Sequence, residues 1–151
     1  MTLMTDRVIV TGGASGIGAA TCQVLRDLGY DAVAADLTAG DGVLALDVAD
    51  ESSWAALFDQ TGPVQGLVNC AGIRTRSLIV DTSVDEFERH LRVNVTGTWL
   101  GVRELFRRHT DGSKAAIVNI ASVNAIIAVP GQAHYVASKG GVAALTKAAA
   151  I

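Results

Sequence analysis

The sequence predicts an α/β fold built on a doubly wound parallel sheet, and three observations carry that expectation. Short β-branched runs alternate with longer stretches at helical spacing, an order that demands crossover connections and therefore parallel strands. Half of the 151 residues are hydrophobic and only 18% are charged, with a mean hydropathy of +0.36, as expected of strands buried on both faces. Sixteen glycines against two prolines argue for tight turns and close backbone approaches. At this length residues 1–151 form at most one domain, with no internal repeat, low-complexity segment or linker.

Each element follows from the local pattern. Residues 7–11, Arg-Val-Ile-Val-Thr, are a β-branched run ending in glycine and read as a buried first strand. From Gly16 the spacing becomes helical, which places Ile17, Ala20, Val24, Leu25 and Leu28 on one face, and Gly29 stops it. Strands are expected at 31–36 and 43–46, then a helix at about 52–60 that closes at Thr61-Gly62-Pro63. A fourth strand covers 66–69. Val84, Phe87, Leu91, Val95, Thr98, Val102 and Leu105 recur at steps of three and four, predicting one long helical region with a single apolar stripe. The fifth strand is expected at 116–120, and a final helix from about Ala133 runs to Ile151 with no stop signal.

Bulk properties exclude several classes. A net charge of −3 with interspersed signs leaves no basic stripe, so no nucleic acid partner is expected. Ala115 to Ser138 lacks any charged residue but is broken by polar residues, Pro130 and Gly131, so no membrane span is expected. Residues 1–6 are too short and polar for a signal peptide. Cys22 and Cys70 fit reduced, partly buried thiols and a cytoplasmic setting. His90 and His109 fall among arginines and read as solvated, His134 adjoins Tyr135, and no His, Cys and carboxylate cluster has zinc spacing.

Chemistry concentrates in a few places. Thr11-Gly-Gly-Ala-Ser-Gly-Ile-Gly18 joins the first strand to the first helix. Glycines there let the backbone turn sharply and approach a pyrophosphate set against free N–H groups at the helix start, a Rossmann-like arrangement. Asp36 ends the second strand 18 residues beyond Gly18, where a carboxylate can take a ribose 2′-hydroxyl. Asp47 closes the third strand in a similar place, and equally reads as the cap of the following turn. Tyr135 and Lys139 stand four residues apart, on one helical face. A phenol with its usual pKa near 10 is a poor acid–base group. A cation about 4 Å away stabilises a phenolate by about 4 kcal/mol at an effective dielectric near 20, so this pairing suits proton transfer near neutral pH. Ser122, after the fifth strand, lacks the G-x-S-x-G surroundings of a hydrolase elbow.

In this order and spacing the motifs resemble the short-chain dehydrogenase/reductase family over essentially all 151 residues. Thr11 to Gly18 matches the family's T-G-x-x-x-G-x-G loop, which assigns Gly12, Ser15, Gly16, Ile17 and Gly18 to the cofactor. Asp47-Val48 is similar to its adenine-contacting pair, and Asn69-Cys70-Ala71-Gly72 to its N-N-A-G turn, with Cys70 in place of the second Asn. Asn94, Ser122, Tyr135 and Lys139 match its catalytic tetrad. The resemblance implies hydride exchange between NAD(H) and a secondary alcohol or ketone, with Tyr135 as general acid–base. Lys139 would hold the nicotinamide ribose, Ser122 would bond the substrate oxygen, and Asn94 would position a water. Asp36 favours NAD over NADP. The resemblance further implies a homo-oligomer, a dimer or tetramer. It also implies that the C-terminal part of the fold is missing, the chain ending inside the helix that carries Tyr135 and Lys139. The rival reading is a nucleotide-binding fragment or sensor module with little or no turnover.

Overall fold

A computed structural model describes residues 6–110, 112 and 114–151. Five parallel strands form one sheet, β1 (Arg7–Thr11), β2 (Asp31–Asp36), β3 (Val43–Ala45), β4 (Gly66–Asn69) and β5 (Ala116–Asn119). Their order is β3-β2-β1-β4-β5, so the chain winds outward in both directions from the β1–β4 boundary. The helices are α1 (Gly16–Asp27), α2 (Glu51–Thr61), α3 (Val84–His90), α4 (Gly97–Arg108) and α5 (Ala133–Ala149).

Alternation along the strands divides the core in two. Ile9 and Leu67 face a layer containing Trp54, Leu57, Phe58, Leu100 and Leu105 from α2 and α4. Val8, Val10 and Val68 face the opposite layer, against Cys22 of α1. Successive strand side chains point to opposite faces, so β1 and β4 are buried on both. β5, at the sheet edge, is far less covered, with Val118 52% exposed.

Helix ends follow ordinary capping chemistry. The Asp50 carboxylate accepts from Ser52 N–H at 2.9 Å to open α2, and Gly62, at φ 71°, closes it. Ser83 Oγ accepts from Glu86 N–H at 3.1 Å to open α3, the first half of a capping box.

Two expectations about faces fail. The apolar stripe assigned to α1 points outward, with Ile17 63% and Leu28 68% exposed, while Gly18 and Cys22 are buried. The helix meets the sheet through Cys22 and Leu25, and its first turn packs on the glycine loop, where a Cβ on Gly18 would lie 2.2 Å from the Gly12 carbonyl oxygen. Apolar periodicity gives glycine no weight, and of the expected stripe only Leu25 packs against the core. The single long helix is also divided. A π-helical turn, Leu91–Thr96, separates α3 from α4, and each such turn rotates the downstream face. Val84 and Phe87 are accordingly exposed, and full burial of the stripe starts only at Thr98. Among the described residues no helix is long and apolar enough to cross a membrane.

Candidate active site

The carboxyl ends of β1, β2 and β4 open on a cleft of about 430 Å³, at the point where strand order reverses. Its floor is mostly main chain. Gly12 and Gly16 adopt left-handed backbone, at φ 66° and 53°. A Cβ on Gly12 would sit 3.0 Å from Ala71 N, and one on Gly13 would sit 2.8 Å from Ala34 Cβ. Thr11 Oγ1 fastens the loop to the β4 turn by accepting from the N–H groups of Cys70 at 3.1 Å and Ala71 at 3.0 Å. Ser15 is the extended N-cap of α1 and makes no side-chain cap bond, so the N–H groups of the first turn remain for an anion.

Gly12, Ser15, Gly16, Ile17, Gly18, Asp36, Asp47, Val48, Ala71 and Gly72 all line this cleft. The Asp36 carboxylate is held at its rim by Ala14 N–H at 3.1 Å and Leu37 N–H at 2.7 Å. Asp47 does cap the following turn, accepting from Ala49 N–H at 2.9 Å. Asn69 is placed differently. It is buried, and its Nδ2 donates to Asn119 Oδ1 at 2.8 Å, while Asn119 Nδ2 donates to Thr146 Oγ1 at 3.0 Å. Its side chain ties β4 to β5 and α5 and does not line the cleft. Ile73, Val93 and Arg89 also line it, and sequence spacing gave no reason to choose Val93 or Arg89.

Of the four matched residues, Asn94 and Lys139 lie beside the cleft in a strip of buried polar groups, while Ser122 and Tyr135 are half-buried. Asn94 is fully buried in the π-helical turn. Its Oδ1 accepts from Ile73 N–H at 2.8 Å, and its Nδ2 donates to Ile73 C=O at 3.0 Å and to Ser138 Oγ at 2.9 Å. Ser138 in turn donates to Tyr135 C=O at 2.8 Å. Sequence reasoning missed Ser138, which sits inside the Tyr-x-x-x-Lys motif with nothing in its spacing to distinguish it. Lys139 Nζ donates to Ile120 C=O at 2.6 Å and lies 6.0 Å from the Tyr135 ring centroid. Ser122 caps a short 3-10 turn, Val123–Ala125, through Asn124 N–H at 3.1 Å, and that turn packs on α5. Strip and cleft meet at Gly72, where a Cβ would lie 3.1 Å from Asn94 Oδ1 and 3.5 Å from Lys139 Nζ.

Burial decides the electrostatics here. Loss of hydration pushes Lys139 below the ordinary lysine range, opposed weakly by Cys70. Burial likewise pushes the thiols of Cys22 and Cys70 up. The Thr75 hydroxyl holds the Glu86 carboxyl below its usual range, helped by the neighbouring histidines.

The histidines correct the sequence reading. His90 is 1% exposed and His134 0% exposed, with ring centroids 4.2 Å apart. Neither is solvated, and both approach Glu86, a cluster that linear spacing did not reveal. His109, by contrast, sits at the end of α4 with Nδ1 2.9 Å from Leu105 C=O.

Comparison with known proteins bears on the same residues. A family profile described as short chain dehydrogenase matches residues 6–151. The cyclopentanol dehydrogenase of Comamonas testosteroni is 36% identical, over 95% of this chain and 65% of that protein. The NADP-dependent (R)-specific alcohol dehydrogenase of Lentilactobacillus kefiri is 35% identical, over 98% of this chain and 68% of that protein. A solved short chain dehydrogenase from Mycobacterium smegmatis superposes with a TM-score of 0.87 at 29% identity, over 95% of this chain and 68% of its own. The chain thus spans about two-thirds of the length of these relatives. With the parallel sheet, the glycine loop and the profile match in agreement, the protein belongs to the short chain dehydrogenase family.

Proposed function

We propose that this protein is an oxidoreductase that exchanges a hydride between NAD(H) and a secondary alcohol or ketone. The observation that carries this reading is the meeting at Gly72 of a main-chain cleft with the strip that holds Asn94 and Lys139. The cleft fits a dinucleotide. It has a glycine floor that a Cβ would fill, a helix start without a side-chain cap, and a carboxylate at the end of β2. Both relatives named above are dehydrogenases of alcohols by name.

The nicotinamide, when bound, supplies the hydride chemistry. The protein's residues would supply proton transfer and position. Tyr135 would take the hydroxyl proton in oxidation and return it in reduction. Lys139, already held on Ile120 C=O, would present its ammonium to the ribose and to the phenol. Ser122 Oγ would donate to the substrate oxygen, where negative charge develops. Asn94 would hold the Ile73 backbone in register through two of its hydrogen bonds, and so shape the loop beside the reacting groups.

NAD is the preferred cofactor on this reading. A carboxylate at Asp36 repels a 2′-phosphate, and Leu37 beside it is 71% exposed and uncharged. Among the described residues, Arg89 is the cation that lines the cleft. Titration with both cofactors decides the matter. Tighter NAD binding is expected, with the preference narrowed or reversed by Asp36→Ala combined with Leu37→Arg. Tighter NADP binding by the wild-type protein would overturn the assignment and turn attention to Arg89.

Self-association belongs to the same proposal. Trp99 and Phe106 of α4 are exposed and share an apolar face with Leu145 and Ala149 of α5, suited to a second copy of the chain. Light scattering tests it, with a dimer or tetramer expected and a monomer at micromolar concentration contradicting it. Cys22 and Cys70 are free thiols, in keeping with a reducing, cytoplasmic compartment.

A further inference from the structure

Glu86, His90 and His134 serve neither the cleft nor the catalytic strip. Glu86 and His90 are one turn apart on α3 and share a face, while His134 is the second residue of α5. One ligand atom from each of the three lies within 4.8 Å of the other two. Thr75, from the loop after β4, reaches between them. Its Oγ1 is 3.3 Å from His90 Nε2 and 3.0 Å from His134 Nε2, and it is hydrogen-bonded to Glu86 Oε1.

The cluster holds more lone pairs than protons. His90 Nδ1 lies 2.8 Å from Glu86 C=O, an acceptor, so a neutral His90 carries its proton on Nδ1 and offers Nε2 as a lone pair. The one hydroxyl proton of Thr75 satisfies either that lone pair or the Glu86 carboxylate. His134 Nε2 also faces Thr75 C=O at 3.3 Å, an acceptor, so without an ion a neutral His134 carries its proton on Nε2 and leaves the buried Nδ1 with no partner among the described residues. Ligation through Nε2 moves that proton to Nδ1. Apolar side chains would fill this junction without the deficit, so packing alone does not account for the two histidines.

A cation answers the deficit, and the groups match one class of cation. Two imidazoles and a carboxylate are the donor set of borderline transition metals rather than of calcium or magnesium. The bond from His90 Nδ1 to a backbone carbonyl is the outer-shell contact that orients a metal-ligating histidine. The geometry points to a binding site for one divalent transition-metal ion of the zinc type, held by Glu86, His90 and His134, with Thr75 Oγ1 or a water as fourth ligand. Zinc bonds of about 2.0–2.2 Å set ligand atoms about 3.3 Å apart, so the groups must draw together. Glu86, only partly buried, has the freedom to do so. The ion would clamp α3, the Thr75 loop and the start of α5 into one unit directly before Tyr135. The site is structural, and it stands whether or not the proposed activity does.

The test is calorimetric titration of chelator-treated protein with Zn²⁺, with Co²⁺ absorption in the visible as a second readout. One ion per chain is expected, at a dissociation constant of about 1 µM or tighter, together with the strong visible bands of four-coordinate Co²⁺. Glu86→Gln keeps the side-chain shape and should weaken binding about tenfold or more, and His134→Ala should abolish it. A Cys22→Ser, Cys70→Ser double variant should bind like the wild type. Should His134→Ala fail to fold, Glu86→Gln on the partly exposed side still decides. No binding at about 100 µM Zn²⁺, or binding that Glu86→Gln leaves unchanged, would overturn the site and leave a hydrogen-bonded cluster.

Discussion

The glycine-floored cleft and the buried polar strip touch at Gly72, yet they are made of opposite materials. The cleft is shaped by what is missing: side chains at Gly12, Gly13 and Gly18, where any Cβ meets backbone or Ala34 within 3.0 Å. The strip is shaped by what is present: Asn94, Ser138 and Lys139, all buried and all hydrogen-bonded. One region should therefore fail when atoms are added and the other when atoms are removed. Parallel strands leave their carboxyl ends free for ligands, and the chain uses the ends of β1, β2 and β4 for the open surface and the π-helical turn with α5 for the closed one.

The largest effect should come from adding a methyl group to the cleft. Gly18→Ala puts a Cβ 2.2 Å from the Gly12 carbonyl oxygen, and overpacking of this kind costs about 3 kcal/mol or more. Urea unfolding should show that loss, and NAD titration should show little binding. A variant of wild-type stability and affinity would mean the loop adapts and is not a rigid cradle.

Removal from the strip comes next. Asn94→Ala takes away three side-chain hydrogen bonds and leaves the Ile73 N–H and C=O unpaired beside it. A buried unsatisfied group costs about 1–3 kcal/mol, so a loss of about 2–3 kcal/mol is expected in the same experiment. NAD affinity should fall much less than in Gly18→Ala. An equal fall would dissolve the distinction between the two regions.

A smaller effect has a pH signature. Burial lowers the Lys139 pKa, so the folded state holds this proton less tightly than the unfolded one. The penalty is complete below the folded-state pKa and is relieved as pH rises toward the ordinary lysine value of about 10.4. The stability of Lys139→Met relative to wild type should therefore decline as pH rises toward about 10. A difference that is flat with pH would mean Lys139 is not titrating against burial. Smallest of all, Cys22 and Cys70, their pKa values raised by burial, should react slowly with a disulfide reagent until the protein unfolds. Rapid labelling of both in the native protein would contradict that.

These differences also explain what the sequence could disclose. The strands, the glycine loop and the Tyr135–Lys139 spacing were readable because each depends on local order along the chain. The face of α1 was not, because its buried positions include Gly18, which carries no hydropathy. The division between α3 and α4 was hidden because a π-helical turn leaves the apolar spacing unbroken while it rotates the helix. Ser138 and the ties of Asn69 depend on partners brought close only by folding, Asn94 and Ser138 being 44 positions apart. His90 reads as solvated, and His134 as no more than a neighbour of Tyr135, for the same reason. Their common neighbour Thr75 lies 59 residues from His134.

The division of labour between cleft and strip is tested most directly by Tyr135→Phe. The substitution removes one hydroxyl and leaves the glycine floor, Asp36 and the buried ties untouched. NAD affinity and turnover of a panel of secondary alcohols, measured on the same preparation, should separate. Affinity should stay within about threefold of wild type, a difference below 1 kcal/mol, while turnover falls by about 100-fold or more, as loss of a general acid–base implies. Turnover at the wild-type rate, or a loss of NAD affinity as large as the loss of turnover, would contradict the assignment of binding to one region and proton transfer to the other.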